Sequence, residues 1–295
     1  ETDKFDIAVG LHQGSALSPF LFAVVIDTIS STTRQGLPTE LLFADDLAVT
    51  AGSEEELQRK VLDWQRSLES KGLRVNAKKT EALVASKERV DYHVVDARGD
   101  EIKQVEKFCY LGSTVEEGGG CKEEVRNRIN RAWMKWRETI GVVCDGRMPL
   151  QLKTKVYRSV IRPVLLYGLE TIPLRRVEER ALMSTEMRML RWMIGVSLRE
   201  HRTNDDIRKF AKVTSIREKA REARLRWFGH IMRLENESGV KKAFHSKVEG
   251  RRSRGRQKLR WRDVIERDMK EVQATVEDTS DRRKWRRLCR AANPT

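Results

Sequence analysis

The stretch Leu41-Leu42-Phe43-Ala44-Asp45-Asp46-Leu47-Ala48-Val49-Thr50 places two adjacent acids between two short apolar runs. Such a pattern predicts two β-strands joined by a tight turn. The acids are costly to bury unpaired there, because like charges raise each other's pKa and desolvation adds to the penalty. A divalent cation removes that cost. Neighbouring residues of an ideal strand point to opposite faces, so the two carboxylates are expected to be unequal, with Asp45 the main metal ligand and Asp46 an assisting or weaker one. Alone, an Asp-Asp pair reads as a solvated turn. The apolar flanks and the segment upstream favour the metal.

That upstream segment, Gly10 to Phe22, carries Gly10 and Gly14 for a tight turn, then Ser15 or Ser18 as a helix cap and Pro19 for the first helical turn. Leu17, Phe20, Leu21, Val24, Val25 and Thr28 recur at helical spacing and predict a helix to about Ser31 with a broad apolar face for the core. Downstream, Ser53-Glu54-Glu55-Glu56 is a capping box, and Leu57, Val61, Trp64 and Leu68 continue a helix that Gly72 stops. Leu73 to Val84 reads as a turn plus a strand around Asn76 and Lys79. A second extended pair, Tyr92–Val95 with Ile102–Val105, precedes an aromatic hairpin at Phe108 to Ser113.

Charge divides the chain. Residues 1–120 hold 14 Lys and Arg against 21 Asp and Glu, whereas residues 121–295 hold 45 against 23. A block with a net charge of +22 predicts a polyanionic partner, since neutralising phosphates releases counterions. No apolar run approaches the ~18 residues of a membrane-spanning helix. In the basic block, Val125, Ile129, Ala132, Trp133, Trp136 and Ile140 recur at helical spacing, which favours core packing for the tryptophans. Arg126, Arg128 and Arg131 between them are candidates for phosphate contact. Leu150–Ile161 is a helix expected to end near Pro163, and Arg175–Ile194 is another, with Met183, Met187, Leu190 and Ile194 facing the core. Two capped helices between Thr203 and Leu234 permit a helix-turn-helix whose second member would display Arg217, Arg221, Arg224 and Arg226. Residues 250–258 read as a linker without an apolar residue, and Arg251, Arg252, Arg254, Arg256 and Lys258 there suit nonspecific RNA or DNA binding or a nuclear import signal.

The order of Gly10–Phe22, Phe43-Ala44-Asp45-Asp46, Gly72–Asn76 with Lys79-Thr80-Glu81, and Phe108–Ser113 resembles the palm of reverse transcriptases, most closely those of non-LTR (LINE-type) retrotransposons. The resemblance continues through Leu165–Thr171, Leu190–Ser197, Arg224–His230 and Gly255-Arg256. It implies an α/β chain: an α+β palm remainder over residues 1–120, a helical thumb or connection over 121–200, and a basic helical tail over 201–295. It implies that Gln13, Gly14 and Ser15 line the nucleotide and template pocket, and that Asp45 and Asp46 bind Mg²⁺ or Mn²⁺. Lys79 would protonate the departing pyrophosphate, and Phe108, Tyr110, Leu111 and Gly112 would form the primer grip. The implied reaction is metal-assisted nucleotidyl transfer from deoxynucleoside triphosphates to a DNA primer or target on an RNA template. The implied setting is a ribonucleoprotein of nucleus and cytoplasm.

The resemblance implies another aspartate, on a strand well upstream of the Gln13-Gly14 loop; by the same resemblance Asp6 would fall instead on a strand running into that loop. The expectation is therefore a reverse-transcriptase fragment, catalytically incomplete by itself. Two alternatives compete with a polymerase: a nucleic-acid-binding remnant without catalysis, and a helical transcription-factor-like protein built on residues 203–235.

Overall fold

Pro19 lacks a backbone N–H and sits in the first turn of helix α1 (Ser18–Ser30), where that N–H would have no helical partner. The expected serine cap is not used: Leu17 is the N-cap and no side chain caps the helix. In this computed structural model, which describes residues 14–34, 39–85, 93–246 and 259–290, the chain forms two compact units, one ending at Tyr110 and one starting at Leu111.

In the first unit α1 packs on α2 (Glu54–Glu69), and the Ser67 hydroxyl donates to Ile29 O at 3.1 Å. Half of the expected capping box forms, because the Glu56 carboxylate reaches the N–H of Gly52, one residue before the N-cap. Ser53 Oγ accepts from Glu56 N at 3.2 Å, and the Glu56 carboxylate accepts from Gly52 N at 2.9 Å. Strands β1 (Glu40–Phe43) and β2 (Asp46–Val49) pair antiparallel, and the buried Lys60 ammonium ties α2 to the end of β2 by donating to Thr50 O.

Gln58 replaces a strand neighbour for Val95, with its amide bonding both Val95 N and Val95 O at 2.7 Å. The predicted second extended pair forms as a short antiparallel bridge, with Val95 opposite Glu101 and Ile102 N donating to Val94 O, and it closes on a turn in which the Asp96 carboxylate accepts from Arg98 N and Asp100 N. Tyr92 lies outside the described residues. The strand expected before Val84 shrinks to a 3-10 turn at Ala77–Lys79 and β3 (Glu81–Ala82), which pairs parallel with β4 (Lys103–Gln104). β5 (Lys107–Tyr110) closes the unit.

The apolar face of α1 departs from expectation. Leu17 and Phe20 are 65% and 64% exposed, and Leu21, Val24 and Val25 are also exposed. The helix buries Ile26 and Ser30, against α2, because amphipathic spacing marks a face that seeks cover without guaranteeing a neighbour.

The second unit opens with β6 (Ser113–Glu116) and is otherwise helical: α3 (Lys122–Glu138), α4 (Ile140–Val143), α5 (Leu150–Val156), α6 (Arg162–Leu166), α7 (Arg176–Ile194), α8 (Asn204–Ala211), α9 (Ile216–Arg233), α10 (Gly239–His245), α11 (Trp261–Glu271) and α12 (Arg282–Cys289). Pro163 does not end the helix before it. A π-turn at Tyr157–Ile161 carries the chain from α5 into α6, adding the slack that accommodates a residue without an N–H.

The larger core joins α3, the π-turn, α6, α7 and α8 through Trp136, Tyr157, Leu165, Met187, Leu190 and Ile207. Met187 and Leu190 bury as their spacing predicts, with Met183 and Ile194 packed beside them. A second core gathers Leu225, Phe228, Ile265, Trp285 and Cys289 from α9, α11 and α12. Here Gly229 is required by space. A Cβ on it would lie 2.2 Å from Trp285 Nε1, the nitrogen that donates to Leu225 O at 2.8 Å.

Candidate active site and nucleic-acid surfaces

The acid pair sits where the alternation of the sequence puts it. Phe43 pairs with Asp46, so Ala44 and Asp45 form a two-residue turn and Asp46 is the first residue of β2. Ala44 takes φ = 51°, a left-handed conformation that such hairpin turns demand. Asp45 and Asp46 are both exposed. The Tyr110 hydroxyl donates to Leu41 O at 3.3 Å, fixing β5 beside β1. Partial burial raises the Tyr110 pKa, and the negative charge of Asp46 raises it further, so phenol and carboxylate share one local field.

Carboxylates at an exposed turn are the right donor chemistry for Mg²⁺ or Mn²⁺, ions that keep several waters and take one or two protein carboxylates beside substrate phosphates. Among the described residues no group of three or more His, Cys, Asp or Glu could hold a metal, so the site comprises two carboxylates there. Gly14 has φ = 85° and open space around its Cα, and Ser15 is half-buried beside it. Gln13 lies outside the described residues. Lys79 is exposed at the end of its 3-10 turn and makes no hydrogen bond or ion pair with either acid.

Phe108 and Tyr110 are half-buried on β5. Leu111 and Gly112, the first residues of the second unit, have φ of 48° and 81°, and their carbonyls are held by Tyr167, just past α6, and by α3. The Tyr167 hydroxyl donates to Leu111 O at 3.1 Å. Arg128 Nη2 and Arg131 Nη1 donate to Gly112 O at 2.5 and 3.1 Å. Glu124 accepts from Thr114 N and pairs with Arg128 Nε at 2.6 Å, and the Arg128 guanidinium lies 4.5 Å from the Tyr167 ring centre. Gly168 completes the cradle. Its φ is 74°, and a Cβ there would lie 2.9 Å from Ser113 Oγ.

Arg128 therefore departs from its expected role. At 3% exposure, and bound to Glu124 and Gly112, its guanidinium has no surface left for phosphate. Arg126 is exposed, with a long 3.9 Å ion pair to Glu123, and Arg131 is exposed although it bonds Gly112. Tyr167, Gly168 and Glu124 have no role legible in the sequence beyond the Leu165–Thr171 match. A buried i, i+4 Glu-Arg pair on an otherwise amphipathic helix was the available signal.

The helix-turn-helix expectation is corrected more fully. Arg217 and Arg221 pair with Glu271 of α11 at 3.0 and 2.7 Å, the buried Arg224 pairs with Asp268 at 2.7 Å, and Arg226 pairs with Glu222. Arg217, Arg221 and Arg224 thus face α11 and hold the two helices together, whereas Arg226 stays exposed and pairs within α9. Arg251, Arg252, Arg254, Arg256 and Lys258 lie outside the described residues.

Residues 1–115, the stretch that contains the acid hairpin and reaches β6, match the family model described as reverse transcriptase (RNA-dependent DNA polymerase). That stretch belongs to the reverse transcriptases. Two relatives of the chain come from non-LTR elements. The RNA-directed DNA polymerase from mobile element jockey of Drosophila melanogaster is 27% identical over 56% of this chain, and the Pol polyprotein from type-1 retrotransposable element R2 of Popillia japonica is 28% identical over 58%. The chain spans 19% and 25% of their lengths. A transposon-derived protein of Caenorhabditis elegans is 22% identical over 78% of the chain and 85% of its own length. No solved structure matches the chain significantly. Among the described residues, no helix is long and apolar enough to cross a membrane.

Proposed function

We propose that this chain acts as the palm and thumb portion of an RNA-directed DNA polymerase of a LINE-type retrotransposon, extending a DNA primer or target end along an RNA template with deoxynucleoside triphosphates. The observation that carries this reading is the two-residue turn presenting Asp45 and Asp46 beside Tyr110, within a stretch that matches reverse transcriptases. Asp45 and Asp46 are the residues that would hold Mg²⁺ or Mn²⁺, which when bound neutralises charge on the triphosphate.

Gln13, Gly14 and Ser15 line the nucleotide and template pocket. Lys79 donates a proton to the leaving pyrophosphate. Phe108, Tyr110, Leu111 and Gly112 seat the primer end, with Arg128 and Tyr167 positioning the last two through their carbonyls. Arg126 and Arg131 meet phosphates, and Arg251, Arg252, Arg254, Arg256 and Lys258 add nonspecific nucleic-acid affinity, in keeping with a ribonucleoprotein of nucleus and cytoplasm.

Since the described residues supply two carboxylates, the test uses the chain joined to the upstream part of the jockey polymerase, the region in which the resemblance implies a further metal-binding aspartate. Primer extension that depends on Mg²⁺ or Mn²⁺ and falls to background in Asp45→Ala is the expected outcome. Equal extension by wild type and Asp45→Ala would falsify the assignment.

A second reading, a nucleic-acid-binding protein without catalysis, draws on the Caenorhabditis elegans relative, which this chain matches over most of its length. It expects salt-sensitive binding that Asp45→Ala leaves unchanged, and no primer extension by the joined chain.

A further inference from the structure

Tryptophan is expensive to leave in water, yet Trp192 near the end of α7 is 55% exposed. Its ring stands against Trp133 of α3, with centroids 5.5 Å apart and planes at 58°, and Trp133 in turn meets the edge of the buried Trp136 at 6.2 Å. The three rings run from the core to the surface, Trp136 fully buried, Trp133 half-buried and Trp192 open.

Trp133 lies five residues past Arg128 and two past Arg131. At about 100° per residue it projects from the side of α3 opposite the two arginines that hold the Leu111–Gly112 turn. Arg137 is one helical turn beyond Trp133, and Arg188 is one turn before Trp192. Both arginines are exposed, and neither side chain forms an ion pair or hydrogen bond among the described residues. This sets them apart from Arg128, Arg217, Arg221 and Arg224, which acids of the same unit neutralise.

We infer that Trp192, backed by Trp133 and flanked by Arg137 and Arg188, is a stacking platform for unpaired bases of single-stranded RNA or DNA, on the face of α3 away from the primer-grip turn. The proposal rests on the nucleic-acid-binding reading above and adds a site and a strand state to it. An open aromatic ring takes the face of any base, so such a platform selects unpaired strands with little regard to sequence. Unpaired arginines on either side supply the countercharge for the flanking phosphates. A duplex offers its base faces only at its ends and gains little from the ring.

The test measures binding of the full chain to a fluorescent oligo(dT), an oligo(U) and a blunt duplex over a salt series, by anisotropy. Trp192→Ala is expected to weaken binding of both single strands by about tenfold and duplex binding by less than about twofold, while Trp192→Phe keeps most of the single-strand affinity. Arg137→Gln combined with Arg188→Gln should reduce the salt slope for single strands by about 1.4, the release expected for two phosphates. Thermal melts of each variant establish that it is folded. Should Trp192→Ala fail to fold, Trp192→Gln and Trp192→Phe replace it: Gln must lose single-strand affinity and Phe must keep it. Equal losses on single strands and duplex, or no loss on single strands, overturn the platform while leaving general nucleic-acid binding intact. Salt-insensitive or absent binding by the wild type overturns both.

Discussion

Among the described residues, the unit that ends at Tyr110 buries Ile26, Trp64, Val94 and Ile102 as its apolar core, while the unit from Leu111 onward buries an array of Leu, Ile, Met and Trp in two cores. Their treatment of charge differs in the same way. The first unit leaves Asp45 and Asp46 in solvent at a turn tip, where a cation can reach them. The second folds many of its cations inward, with Arg128 on Glu124, Arg208 on Glu186, Arg221 on Glu271 and Arg224 on Asp268. A large formal charge is therefore a poor measure of the charge available to phosphate. What counts is the number of cations whose partners are not already in the fold.

The sharpest way to break this contrast is on α3, where Arg126 and Arg128 sit two residues apart, one exposed and the other buried. Arg128→Ala strands Glu124 and frees the Gly112 carbonyl, and should lower unfolding free energy in a urea titration by about 3–5 kcal/mol. Arg126→Ala should stay within about 0.5 kcal/mol while weakening nucleic-acid binding. A loss below about 1 kcal/mol for Arg128→Ala would mean that the buried pair does not hold the unit together.

Next in size is Gly229→Ala, which drives a methyl into the Trp285 ring and should cost about 1–3 kcal/mol, read as a lower melting temperature. An unchanged melt would show that α12 is not seated on α9.

Glu186 gives a smaller, pH-dependent effect. Its carboxylate is fully buried; burial raises its pKa, while Ile216 N, the Arg208 charge and the Tyr157 hydroxyl oppose the rise. An acid whose pKa is higher in the folded state stabilises the fold below the ordinary glutamate value and loses that contribution as pH climbs through the folded value. Relative to Glu186→Gln, the wild type should lose stability as pH rises from about 4, levelling off above the folded pKa. Urea midpoints for both proteins across that range would show a flat difference if Glu186 were solvated.

Smallest of all, Phe20→Ser on the exposed face of α1 should alter stability by no more than about 0.5 kcal/mol. A loss of several kcal/mol would mean that this face is packed.

Legibility in the sequence followed the range of the interactions. The Ser53–Glu56 cap, the period of α3 and α7 and the strand-turn-strand at Asp45-Asp46 are local devices, and each appears at the predicted residues. Four things were illegible, three of them because their partners lie far along the chain. The arginines of α9 meet acids about 50 residues away, Tyr167 and Gly168 reach back to Leu111 and Ser113, and Gln58 stands in for a strand beside Val95. The fourth, the uncovered face of α1, reads in sequence like any core helix. Periodicity reports which side of a helix is apolar and is silent on what lies against it.

Helix α9 belongs to both cores of the second unit, with Ile216 in one and Leu225 and Phe228 in the other, and Trp285 clamps it from 60 residues downstream. A single rod threaded through two packed layers makes their melting one event. Clipping α12 from the carboxyl end would therefore loosen the whole helical half, and a relative shortened there would need a new side chain to fill the groove over Gly229.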